Sequence, residues 1–191
     1  TDWIYLSHSG QMKGQFGYGI TLFAEDEFYK NILFEDNYGL EISFEKSFSK
    51  SISFNIKPEF GTEIIRVDAP YQARNTGLGL GIELKPSDEF KLNFRMDQSK
   101  SIRFENDEIV YSDMIARARF EYQATTFLNF RLVAQYHRYY DTFDIQPLIS
   151  YQPGPFSIFY FGTSRSYDTS FPGWKESYGQ IYLKVQKLFS F

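Results

Sequence analysis

Cysteine is missing from all 191 residues, which removes disulfide frameworks and thiolate metal sites from consideration. Histidine occurs only twice, at positions 8 and 137, too few for the common imidazole-based zinc sites. No stretch of about 18 apolar residues occurs, so no transmembrane helix is encoded. Positive charge is in short supply as well. A formal net charge of -4 lacks the basic footprint that nucleic acid requires. Helical periodicity is almost absent. What abounds instead is aromatic side chains, 21 Phe and 15 Tyr, in a chain whose mean hydropathy of -0.40 looks soluble.

Period-two alternation runs through the whole chain. Tyr38, Leu40, Ile42 and Phe44 alternate with Gly39, Glu41, Ser43 and Glu45. Leu78, Leu80, Ile82 and Leu84 alternate with Gly79, Gly81, Glu83 and Lys85. Phe90, Leu92, Phe94 and Met96 do the same with Lys91, Asn93, Arg95 and Asp97. Successive strand side chains point to opposite faces, so each segment has one apolar and one polar face. The pattern predicts strands at about 2–8, 14–24, 37–48, 51–66, 75–86, 89–104, 110–124, 127–139, 143–152, 155–166 and 177–191. Several exceed the usual five or six residues and match tilted strands that cross a bilayer. The polar faces carry full charges in mid-strand, as a wet lumen would and as a soluble β-sandwich seldom does. The expected fold is all-β: a transmembrane, antiparallel, up-and-down β-barrel, forming one domain over residues 1–191.

Links support this expectation. Tight turns are predicted near Ser49-Lys50, Pro86-Ser87-Asp88, Ala124-Thr125-Thr126 and Pro153-Gly154, with longer links at 25–36, 67–74, 105–109, 140–142 and 167–176. Outer-membrane barrels alternate short periplasmic turns with longer outside loops in this way. Apolar residues flanking a turn also constrain its length. Phe48 and Ile52, Leu84 and Phe90, and Tyr122 and Leu128 imply odd-numbered turns, whereas Tyr151 and Phe156 imply an even one. Aromatics gather near the strand ends, at Phe48, Phe60, Tyr122, Phe127, Tyr136, Tyr139 and Tyr140 among others, as an interfacial girdle would. Ten or eleven strands ending on a periplasmic Phe191 give the further expectation that the sequence is the C-terminal portion of a larger barrel.

Two resemblances sharpen the picture. The closing strand, with Tyr182, Phe189 and Phe191, resembles the signal read by the barrel-assembly machinery of Gram-negative outer membranes. The stretch "TFLNFRLVAQYHRYYDTFDIQPLISYQPGPFSIFYFGTSR" (126–165), together with "YLKVQKLFSF" (182–191), is similar to the end of a group of large Bacteroidota outer-membrane barrels. Those barrels have no assigned function and usually follow a soluble domain resembling family-nine carbohydrate-binding modules. The resemblance implies a porin-like membrane protein of the bacterial outer membrane. No residue of this sequence corresponds to the soluble domain, so no sugar-binding residue carries over.

Candidate chemistry is sparse, and no cofactor is expected. "GLGLG" at 77–81 alternates with leucines inside a strand and opens no helix, so it is no phosphate loop. Glu59, Glu63, Arg95, Asp97, Arg117, Arg119, Glu121, Arg131 and His137 are expected to face the lumen, where they could pair with one another, form a constriction or meet a partner's plug. His137 lies near Asp141 and Asp144, and some outer-membrane proteases pair His with Asp at the outer rim. His8 stands between Ser7 and Ser9, but neighbouring strand residues point to opposite faces, so it serves neither as a base. The expected function is therefore non-enzymatic: solute passage, or membership of a larger envelope complex. The alternative is a barrel hydrolase, protease or lipid hydrolase, built on His137. Expected partners are the lipid bilayer, the assembly machinery during insertion, and other outer-membrane or periplasmic subunits, with no nucleic acid and no metal.

Overall fold

The computed structural model describes residues 3–187, and they form eleven β-strands with no helix. The strands are β1 (Trp3–Met12), β2 (Phe16–Tyr29), β3 (Ile32–Ser49), β4 (Ile52–Ile65), β5 (Tyr71–Leu84) and β6 (Phe90–Arg103). They continue as β7 (Ile109–Gln123), β8 (Leu128–His137), β9 (Thr142–Gly154), β10 (Ser157–Asp168) and β11 (Lys175–Lys187). All belong to one antiparallel, up-and-down sheet in which strand order follows chain order. β1 and β11 stand at the two ends of that order, and the sheet does not close on itself. By compactness the chain divides in two. One unit takes in β1 to β3, most of β4 and the nearer parts of β5, β6 and β7; the other takes in β8 to β11 with the remaining parts.

β1, β2, β3, β5 and β9 are longer than the sequence pattern suggests, whereas β4, β6 and β8 are slightly shorter. Segment 25–36 is not a loop: β2 and β3 run on as a hairpin and turn at Lys30 and Asn31, whose φ values are 49° and 62°. Two successive positive φ angles are the signature of the tight hairpin turn that matches strand twist. Between Glu25 and Glu27 the register shifts, with Asp36 in the left-handed region at φ 57°. The shift pairs Phe34 with Glu27, and so moves Phe34 to the polar side of the hairpin. Strand β1, expected to be short, spans ten residues.

At the β7–β8 turn the parity is odd by pairing, although the strand bounds alone leave four residues, 124–127. Ala124 donates its N–H to the Leu128 carbonyl, leaving three residues between them. The link between β5 and β6 has five residues, 85–89, and that between β9 and β10 has two, 155–156. In this last case the even count comes with a bulge, after which Tyr151 pairs with Phe159. The link between β3 and β4 is the exception. It has two residues, Lys50 and Ser51, where an odd number was expected.

Burial is inverted relative to a soluble sheet. Leu6, Leu22 and Leu40 align across β1 to β3 on one face, and Ser7, Thr21 and Glu41 align on the other. In the second unit Phe130, Ile149, Phe161 and Leu183 align on the apolar face, opposite Arg131, Leu148, Gly162 and Tyr182. The buried residues with side chains are Phe34, Asn37, Ala73, Ser101, Asp113, Val133 and Leu148. By alternation and register every one belongs to the polar face. So do the four buried glycines, Gly17, Gly39, Gly81 and Gly162. Among the described residues the apolar face contributes none. Its Leu22, Phe60 and Leu183 are 46%, 50% and 71% exposed.

Candidate functional site

Chemistry concentrates on the polar face, which differs between the two units. In the first, small residues open a recess of about 420 Å³ lined by Ser9, Gln11, Gly19, Ser43, Asn55 and Lys57, among others. Glycine there leaves room for the ends of neighbouring side chains. A methyl group at Gly19 would lie 2.6 Å from the Ser43 hydroxyl, and one at Gly81 would collide with the Asn55 amide. Gly77, Gly79 and Gly81 on β5 thus form a rail beside Glu59, Lys57 and Asn55 of β4.

Charges in this unit are acidic in excess. Lys57 bridges two carboxylates, 2.8 Å from Glu41 and 3.2 Å from Glu59. The Ser101 hydroxyl donates to Glu63 from a fully buried position. Asp97 lies beside Gly79, and Asp113 is buried with its carboxylate accepting from Tyr111 at 3.2 Å. Near the end of β6, Arg103 stacks over the Tyr71 ring at 4.1 Å.

In the second unit the balance reverses. Arg117, Arg119 and Arg131 share the polar face of β7 and β8, where Arg117 stands opposite Gln135, Arg119 opposite Val133 and Arg131 opposite Glu121. The Glu121 carboxylate is taken by Arg119, whose Nε donates at 3.1 Å and whose Nη2 donates as well. Among the described residues Arg131 has no ion-pair partner, and its buried Nε meets no acceptor. Arg95 lies on β6, on the polar face by alternation.

The remaining sequence candidates are placed individually. His137, paired with Thr142 in the sheet, packs edge-on against the Tyr140 ring at 4.6 Å. Asp141 sits in the following link, and its carbonyl accepts from the Thr169 N–H and hydroxyl. Asp144 pairs with Gln135 in the sheet. Among the described residues no group of three or more His, Asp and Glu side chains is arranged to hold a metal. His8 is on the opposite face from Ser7 and Ser9. Its Nε2 lies 3.0 Å from the Tyr18 hydroxyl, whereas the Ser7 hydroxyl meets Thr21 at 3.3 Å.

Tyr182 lies on the polar face, its hydroxyl over Gly162, where an added methyl group would sit 2.6 Å away. Phe189 and Phe191 lie outside the described residues. Trp174, in the link before β11, packs against Phe143 at 5.0 Å. In the link between β5 and β6, a hydrogen bond from Ser87 holds the Glu89 carboxyl below its usual pKa.

The arginine cluster is only partly legible in the sequence. Alternation puts these residues on the polar face but does not reveal that Glu121 serves Arg119 rather than Arg131. Compared with protein-family models, curated proteins and solved structures, the chain matches none.

Proposed function

We propose that this chain forms part of a β-barrel in the outer membrane of a Gram-negative bacterium of the Bacteroidota type, with a non-enzymatic role in solute passage or in a larger envelope complex. The apolar face meets lipid, and the polar face lines an aqueous lumen. One observation carries this: among the described residues every buried one lies on the polar face, while leucine and phenylalanine side chains on the other face stay open. Exposing a large apolar side chain to water costs about 1.5–3 kcal/mol relative to burying it. Repeated over eleven strands, that cost is removed if hydrocarbon covers the face.

Aromatic placement in the second unit agrees with this. Tyr136 and Phe143 pair on the apolar face near one end of the strands, and Tyr151 and Phe159 pair near the other. Belts of amphipathic rings at both interfaces are a barrel feature. Arg165, on the apolar face, pairs with Glu176 at 3.4 Å near the first of these belts, within reach of the headgroups. In hydrocarbon the backbone rows at the β1 and β11 edges need partners, since each unsatisfied group costs several kcal/mol. Further strands, of the same protein or of another subunit, supply them in this proposal. The strand that carries Tyr182, with Phe189 and Phe191 beyond it, is the one the assembly machinery reads in this proposal, and Tyr182 packs over Gly162 of β10.

Purification tests the proposal. The chain is expected to enter the outer-membrane fraction and to require detergent for extraction. A monodisperse monomer in plain buffer would overturn the membrane reading. Conductance steps in planar bilayers would favour passage over a purely structural role.

A further inference from the structure

The three arginines of β7 and β8 stand on one face with too few anions to satisfy them. Along a strand, side chains two residues apart are about 7 Å from each other, and diagonal neighbours on adjacent strands are about 7–8 Å apart. Arg119 is thus one such step from Arg117 along β7 and one from Arg131 across the pair, so the three form one row on the polar face with Arg119 at its centre. On the β8 and β9 side, two carboxylates stand beside the patch. Glu121 is already held by Arg119, and Asp144 stands across Gln135 on β9. Val133 and Leu148 are buried on the same face and flank Arg131. Apolar neighbours lower the local dielectric and so strengthen any charge pair formed there. The buried Nε of Arg131 has no acceptor among the described residues, and a buried unpaired guanidinium donor is costly.

We infer that Arg117, Arg119 and Arg131 form an oxyanion-binding site that recognises the carboxylate, sulfate or phosphate group of a solute. Guanidinium is suited to this, because its planar fork donates two parallel hydrogen bonds to such groups. The inference rests on the outer-membrane proposal only for the wet lumen through which the anion arrives. The arrangement of the arginines is independent of it. Lys57 makes a natural internal control: it is also on a polar face, but both its neighbouring carboxylates already engage it.

The test is calorimetric titration of the full chain in detergent with inorganic phosphate at low salt, with sulfate and acetate in parallel arms. Saturable phosphate binding is expected, weakened about tenfold or more by the double substitution Arg117→Gln and Arg131→Gln. Lys57→Gln should leave it within about twofold, since Lys57 belongs to a different cluster. Arg131→Lys keeps the charge but loses the fork, and should fall between these limits. Far-UV circular dichroism identifies any variant that fails to fold, and Arg131→Lys then carries the test. Tighter binding of acetate than of phosphate would assign the site to carboxylates. No saturable binding of any of the three anions, or binding insensitive to the double substitution, would overturn the site. If the chain proves water-soluble and still binds phosphate through these arginines, the membrane proposal fails and the site stands.

Discussion

The polar faces of β2 to β4 and of β7 to β9 are built by the same alternation and carry opposite electrostatics. On β3 and β4 a single lysine is shared by Glu41 and Glu59, with Glu45 and Glu63 nearby in sequence and on the same face by alternation. On β7 and β8 three arginines face one carboxylate directly, and only Arg119 engages it. Alternation decides which side of the sheet is wet. The sign of the charge on that side is free to vary, and it does so regionally. A lumen of this kind would not be uniformly neutralised by cross-strand ion pairs; it would present an acidic sector and a basic one.

The strongest way to break the comparison is to attack what the regions share. Leu22→Arg in the first unit and Phe161→Arg in the second each place a charge on the apolar face. In a bilayer each should cost about 2–4 kcal/mol. Thr21→Arg, on the polar face of β2, should cost far less. Unfolding titrations in vesicles would measure this, and equal costs for Leu22→Arg and Thr21→Arg would show that neither face is in hydrocarbon.

Next in size is crowding on the polar face. Gly81→Val meets Asn55 and Gly162→Val meets the Tyr182 hydroxyl and Leu148, so each should destabilise by about 1–3 kcal/mol through overpacking. Gly154→Val, where nothing lies within 4 Å of the added carbon, should be nearly neutral by comparison in the same titration.

The smallest expected effect sharpens the comparison most, because its sign should reverse. Lys57→Met removes a half-exposed cation from two carboxylates and should destabilise by no more than about 1 kcal/mol. Arg131→Met removes a guanidinium with a buried, unaccepted Nε, and should be neutral or stabilising by up to about 1 kcal/mol. Equal losses from both substitutions would mean that Arg131 is satisfied as Lys57 is.

Much of the fold is legible in the sequence, because period two is enforced residue by residue by strand geometry. All eleven strands fall on alternating segments, and the face assignments of Leu40, Leu80, Leu132 and Ile181 follow directly. Failures occur where polar composition imitates a loop. "EDEFYKN" reads as a surface link, yet Glu25 and Glu27 stay in the sheet, paired with Asn37 and Phe34, and Arg66 meets Glu27 at 2.6 Å while the Asp26 carboxylate accepts the Asp36 N–H. The bulge at Asp36, which moves Phe34 to the polar side, leaves no mark on the alternation itself. Register is likewise invisible: nothing local shows that Leu132 faces Pro147. That pairing changes the apolar positions from even to odd in β9 to β11. The β7–β8 register that sets Glu121 opposite Arg131 is equally unmarked, so the grouping of the arginines was not readable although their face was.

The central claim is that one face of the sheet is in lipid and the other in water. Spin labels placed singly at Leu22, Leu132 and Leu183, and at Thr21, Gln135 and Gln180, would test it in reconstituted vesicles. The first three should collide freely with oxygen and be shielded from a polar nickel chelate, and the second three should show the reverse. Equal access of the polar relaxant to both sets would contradict the claim.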